Sequence, residues 1–290
     1  MYFDEDMLLD LRLNILNPYV DFFVIVESKY THSGKKKELK FDLNKFSAFK
    51  KKIIYIISDD IIAGIQEITE KDNTDKIGIK KIMNAVYREN YQRNFIVNGL
   101  EGAKEDDFIL ISDIDEIPNL ENFKFKSVKS KIVMFQQSMF YYKFNLKLPN
   151  YIWVGTKGCK KKYLKSPQWL RNIKDKKYNL YRLDVLFSDK KFINISFVNK
   201  GGWHFTNIKS PEEIEYKLKS YLHHLEFENE ELKVEDINRI VKSKKAIYNL
   251  NVDKKICKIG DGNKLIKTEM IELPVYINNN LNKYEDWIEK

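Results

Sequence analysis

The chain of 290 residues carries 51 Lys+Arg against 42 Asp+Glu, a net charge of +9 at neutral pH, with 43% hydrophobic and 13% aromatic residues. Such apolar and aromatic content excludes a disordered tail, which lacks the surface to offset its ordering entropy, and a charged fraction of 32% excludes a membrane bundle. The longest apolar runs, such as 22–26 and 53–57, fall far short of the ~20 residues needed to span a bilayer.

The opening Met-Tyr-Phe-Asp-Glu-Asp is acidic where a secretion signal needs positive charge and then an apolar stretch, so a soluble, folded, cytoplasmic protein is expected. Residues 5–17 place Met7, Leu8, Leu11, Ile15 and Leu16 near one helix face, with Asp4 and Asp6 as start signals and Asn17-Pro18 as the stop. Val20 to Val26 is a near-continuous apolar run, which predicts a strand buried on both faces, the habit of parallel sheets. Residues 28–45 are polar and predict a loop, and Ile53 to Ile57 a second buried strand closed by Ser58-Asp59-Asp60. Ile79, Ile82, Met83 and Val86 open a helix predicted to end near Gly99; its later turns are polar on more than one side and face a site as well as a core. Phe108 to Ile111 is a third buried strand. Further strands are predicted within 131–144, 151–156 and 192–205, and helices over 212–227 and 234–248. This order predicts an α/β fold: one domain over 1–290, a mixed, mainly parallel sheet flanked by helices, and a C-terminal helical appendage.

A pI near 9.1 invites an alternative, a basic nucleic-acid-binding protein without catalysis. Against it, only six of the basic residues are Arg, the residue suited to bidentate base and phosphate recognition. The lysines sit in short, dispersed clusters rather than one basic arm, so no nucleic-acid partner is expected. Two cysteines, Cys159 and Cys257, give no basis for a disulfide framework or a thiolate zinc site.

The sharpest local feature is Asp113-Ile114-Asp115, directly after a predicted buried strand. Open α/β sheets bind ligands at the carboxyl ends of their strands. If extension continues, Asp113 and Asp115 project to one side and Ile114 to the core. Two carboxylates so placed suit Mg²⁺ or Mn²⁺, which bind through one or two carboxylates plus substrate phosphates. The competing structural reading is a turn in which Asp bonds local backbone; the following Glu116-Ile117-Pro118 favours the metal. His204, in Gly201-Gly202-Trp203-His204-Phe205, is either a further metal or phosphate ligand or a half-buried imidazole satisfied by a carbonyl. His223-His224 lies in a predicted helix, where adjacent residues diverge. In Arg88-Glu89-Asn90-Tyr91-Gln92-Arg93 the polar side chains fit a nucleotide-sugar pocket or, equally, a solvated helix face. Gly260-Asp261-Gly262 reads as a turn.

In this order these pieces resemble glycosyltransferase family 17, the group of the β-1,4-mannosyl-glycoprotein β-1,4-N-acetylglucosaminyltransferase. The matching stretches run from Phe3-Asp4-Glu5-Asp6-Met7-Leu8-Leu9 with Leu11-Arg12-Leu13-Asn14, through Val20 to Ser28, Thr31 and Gly34-Lys35, to Arg88 to Asn94. They continue with Ile111 to Pro118, Phe140-Tyr141-Tyr142, Pro167-Gln168, Gly201 to Phe205 and Leu273-Pro274. The resemblance implies a GT-A-like fold, a UDP-sugar donor (UDP-GlcNAc), a glycan acceptor, a Mn²⁺ or Mg²⁺ ion and inversion at the anomeric carbon. It also departs from the family: the membrane anchor and stem of the Golgi relatives are missing, and Lys36-Lys37 replaces a proline-containing loop.

On that reading Asp115, and Asp113 through water, hold the metal, with His204 as a further ligand. Glu27, Lys35, Arg88, Arg93 and Asp113 are the expected nucleotide-sugar contacts in a donor half of about 1–120. Trp153, Gln168 and Trp203, with Trp169, are expected at the acceptor in the half from about 121 to 290. Glu116, then Asp184, are the expected general bases for the acceptor hydroxyl.

Overall fold

The computed structural model describes residues 1–58, 62–179, 181–220, 233–250 and 262–290. The first helix, α1 (Asp6–Leu16), buries Leu8, Leu9, Leu11, Leu13 and Leu16 and ends at Asn17. The Glu5 carboxylate ahead of it accepts the Phe3 and Asp4 amides at 3.0 and 3.1 Å, which folds the chain start back over the helix. Strand β1 (Phe23–Ser28) pairs in parallel with β2 (Ile53–Ser58), Phe23 opposite Ile53 and Ser28 opposite Ser58. β2 is only half-buried along its apolar run, being the edge of a two-stranded sheet. Helix α2 (Thr74–Asn94) starts where the Asn73 side chain accepts the Lys76 amide at 2.9 Å, then tightens into a 3₁₀ turn over Phe95–Leu100.

The larger sheet holds β3 (Phe108–Ile111), β4 (Glu116–Pro118), β5 (Ile132–Tyr141), β6 (Leu146–Lys160), β7 (Ile195–Val198), β8 (Gly202–Thr206) and β9 (Ile266–Lys267). Its order is β3-β6-β5-β8-β4, with β7 also on β5 and β9 on β6. The mainly parallel sheet expected from the sequence is corrected here. β3·β6, β5·β6, β4·β8 and β6·β9 are antiparallel, and only β5·β7 and β5·β8 are parallel. A continuous apolar strand reports burial of both faces and not direction. β5 is buried on both faces at its apolar ends, Ile132–Phe135 and Met139–Tyr141, yet its neighbour β6 follows through a four-residue connection that permits only an antiparallel hairpin.

One edge of β5 is shared end to end: β7 runs beside Ile132–Phe135 and β8 beside Ser138–Tyr141. The link between them passes Gly202 at φ +128°, where a Cβ would lie 2.1 Å from the Ile117 carbonyl oxygen. Only glycine lets β8 close on β4 there.

One face of the sheet packs with α1, β1, Phe205 and the C-terminal segment in the largest apolar cluster; Val26, Ile96, β3 and Leu170 fill a second. A third joins Tyr141, Leu146 and Leu148 to α5 (Pro211–Ser220) and α6 (Val234–Lys242) through Ile214 and Ile237. Past β9 the chain is not an appendage. Helix α7 (Val275–Asn279) contributes Ile277, and the following turn Tyr284, both fully buried in the largest cluster. Among the described residues the remaining α-helices are α3 (Pro167–Asn172) and the short α4 (Leu183–Leu186). His223-His224, Asp59-Asp60, Cys257, Gly260-Asp261 and the end of the helix expected over 212–227 lie outside the described residues.

Candidate active site

β3 stops at Ile111, and the chain turns rather than staying extended: the Glu116 amide donates to the Asp113 carbonyl at 3.1 Å. Ile114 still buries into the largest cluster while Asp113 and Asp115 reach one cavity of about 160 Å³. The cavity is walled by the chain start (Met1–Phe3), by Tyr30–His32 and Lys37, by Glu89, Gln92 and Arg93 of α2, and by Lys217 and Ser220 of α5.

Charge pairing behind this wall is dense. Asp113 accepts from Arg93 Nη2 at 3.2 Å and from Arg171 Nη2 at 3.0 Å. Arg171 also forks onto Glu116, at 2.6 and 2.9 Å, and reaches the Gly155 carbonyl. Arg12 donates to the Glu116 carbonyl at 2.6 Å, to Ser112 Oγ at 2.5 Å and to the Asp113 carbonyl at 3.3 Å, pinning the turn from below. Burial alone would raise the Asp113 carboxyl, but the Arg93 and Arg171 charges outweigh it and hold it well below the usual carboxylate range. Desolvation pushes Arg12 down to about 10. Lys157 Nζ holds the carbonyls of Arg171 and Ile173, at 2.7 and 2.5 Å, and burial lowers it to about 8.

Asp115 faces different partners. Its Oδ2 lies 3.5 Å from His204 Nε2 and 3.7 Å from Lys217 Nζ. Burial pushes this carboxyl up, and His204 with Lys217 brings its net direction down. β8 delivers the histidine, because Glu116 and His204 are register partners across β4·β8. Trp153 lies against the imidazole, ring centroids 5.0 Å apart, and donates its indole N–H to Glu116 Oε1 at 2.7 Å.

Of the expected residues, the fold brings Arg93, Asp113, Asp115, Glu116, Trp153, Gln168 and His204 into this network. Gln168 accepts from Arg93 Nη1 at 2.5 Å, tying α3 to α2. Glu116 does not suit the role of base: 1% exposed, its two oxygens receive Arg171, Trp153 and the Asp113 amide, the last at 2.9 Å. Asp184 sits on α4, exposed and paired with Arg182 and Lys191, away from the cavity wall.

Glu27 is buried and committed to a loop: its carboxylate accepts Lys37 Nζ, the Lys40 and Phe41 amides and the Tyr55 hydroxyl. Lys35 is exposed in the 31–35 turn. Arg88 lies over Gly34 and donates to the His32 carbonyl at 3.2 Å. Trp203 donates to the Glu272 carbonyl at 2.7 Å and packs on the core. Residues beyond the expected set are Arg12, Arg171, Glu89, Gln92, His32 and Lys217. The Arg12 and Glu89 stretches carried a resemblance signal; Arg171 and Lys217 carried none.

Among the described residues no group of three or more His, Cys, Asp or Glu is placed to hold a metal. The donors that fit one are Asp115 and His204, a carboxylate and an imidazole with room for substrate phosphates as further ligands. The buried Nδ1 of His204 has no hydrogen-bond partner among the described residues. Asp113, held by two arginines, fits a coordinating role less well.

Comparison with curated proteins and with solved structures finds no match. The family model of glycosyltransferase family 17 matches residues 1–288. With essentially the whole chain covered, the protein belongs to glycosyltransferase family 17 and is an enzyme that transfers a sugar.

Proposed function

We propose that this enzyme is a GT-A-like, metal-dependent, inverting glycosyltransferase that moves GlcNAc from UDP-GlcNAc to a glycan hydroxyl. The observation that carries the proposal is Asp115 on a cavity wall, flanked by His204 and Lys217 and backed by the Asp113–Arg93–Arg171–Glu116 lattice. A cavity of about 160 Å³ suits a diphosphate, with the nucleoside and sugar extending beyond it; a whole ligand of that size needs a pocket of ~300 Å³ or more.

When bound, Mn²⁺ or Mg²⁺ at Asp115 and His204 would neutralise charge on the departing diphosphate. The chain's own residues supply the rest. Lys217 brings a cation to the cavity wall beside Asp115, Lys37 lines the same wall paired with Glu27, and Arg93 is fixed by Glu89 and Asp113. An inverting transfer needs a base at the acceptor hydroxyl, opposite the leaving group. Glu89 is the candidate for that base: it lines the cavity, and Arg93 donates to its Oε1 at 2.9 Å, while among the described residues no hydrogen bond engages its Oε2.

The test is thermal shift with UDP-GlcNAc, with and without Mn²⁺. A Mn²⁺-dependent rise in Tm is expected for the wild type, and Asp115→Asn should weaken it at least tenfold in ligand concentration. Absence of a shift with any nucleotide sugar, or an unchanged response in Asp115→Asn, overturns the donor assignment.

A further inference from the structure

Residues 174–179 and 181–190, as far as they are described, form one excursion, closed at its neck where the Lys174 amide donates to the Lys190 carbonyl at 2.7 Å. The turn of α4 lies within it. Val185 plugs this turn into the protein and is buried, but its neighbours point away. Tyr181 is 92% exposed, Leu183 71%, Leu186 67% and Phe187 91%. Leu183, Leu186 and Phe187 are spaced i, i+3, i+4, which puts them on one face of the turn, opposite the Val185 anchor.

Single exposed apolar residues need no explanation, but a contiguous cluster marks an interaction surface. Its surroundings state the partner's charge. Residues 174–191 hold six cations against three carboxylates. Two of the carboxylates are already neutralised locally, Asp184 by Arg182 and Lys191, and Asp189 by Lys165. Lys174 and Lys190 are exposed at the neck and Lys176 beside it, while Lys177 Nζ lies over the Phe197 ring, 5.9 Å from its centroid. Exposed apolar residues in a segment with a net excess of cations, with lysines at its base, match a segment that lies in the interface of an anionic bilayer.

We propose that residues 174–190 dock the enzyme on an anionic membrane surface, with Tyr181, Leu183, Leu186 and Phe187 inserted among the headgroups. This is peripheral attachment: among the described residues no helix is long and apolar enough to cross a membrane. The neck begins three residues after Arg171, whose guanidinium holds Asp113 and Glu116, so docking would hold the cavity at a fixed height above the bilayer. The proposal does not depend on the donor or the metal.

Co-sedimentation of the full chain with large vesicles tests it. Binding is expected to vesicles of equal phosphatidylglycerol and phosphatidylcholine, at least tenfold tighter than to phosphatidylcholine alone, and weakened by salt as screening requires. The double substitution Leu186→Ser, Phe187→Ser should lose at least tenfold in vesicle binding while Tm and the nucleotide-sugar thermal shift stay unchanged. In Phe187→Trp, tryptophan emission should shift to the blue on anionic vesicles. Wild-type binding in the double variant, or none to anionic vesicles, overturns the proposal. So does a concentration-dependent dimer that the double variant abolishes, which would assign the patch to a second copy.

Discussion

Arg171 is the residue on which the site's electrostatics turn, since one guanidinium serves both Asp113 and Glu116 with its own side chain largely buried. Removing one partner of a buried ion pair strands the other charges, typically at about 3–5 kcal/mol. Arg171→Met should therefore lower stability by an amount in that range, read as a shift in the urea midpoint with an unchanged m value. Glu89 presents the opposite case, a cavity carboxylate with one oxygen that makes no hydrogen bond among the described residues. Glu89→Gln keeps the shape and most of the Arg93 contact but cannot take a proton. Its turnover, measured as UDP release with a panel of oligosaccharide acceptors, should fall by roughly 10²–10⁴. Its nucleotide-sugar thermal shift should persist; loss of both together would make Glu89 a positioning residue.

At the scale of elements, the β4·β8 pair decides whether His204 reaches Asp115. Gly202 permits that pairing through its positive φ and its closeness to Ile117. Gly202→Ala combines backbone strain with overpacking against a carbonyl, together about 2–4 kcal/mol. The expected fall in Tm is roughly 5–15 °C, whereas Gly102→Ala, with open space around its Cβ position, should leave Tm unchanged. The elements themselves were largely legible in the sequence. α1 starts and stops where Asp6 and Asn17 predict, and β3 occupies 108–111 as expected. The direction of pairing was not legible, because the apolar ends of β5 are buried on both faces and read the same for either direction, and the turn that makes β5·β6 an antiparallel hairpin carries no signal in its own residues.

For the whole molecule, the carboxylates of the site set an acid limb to stability. Asp113 and Asp115 are both depressed in the folded state. Their contribution is fully present above the ordinary carboxylate pKa of about 4 and is lost as pH falls through the lower folded values. Tm should accordingly hold as pH drops from 7 towards 4 and fall steeply below it; Asp113→Asn, already lacking one such charge, should fall less steeply. The net charge of +9 reads differently beside the structure. Lys45, Lys160, Lys162 and Lys209 are paired with Asp6, Asp106 and Asp4, so these lysines are engaged by carboxylates and not held ready for a polyanion. By itself the sequence determined the α/β character, the carboxylate pair after a buried strand and the family, because apolar periodicity and contiguous motifs are local properties of the chain. Tertiary structure alone decided which charges meet. Arg12 reaches Asp113 across 101 positions and Arg171 reaches it across 58. It thereby made Glu116 a buried brace and set Asp115 on the cavity wall beside His204 and Lys217, because a carboxylate's surroundings follow from the donors that packing brings to it.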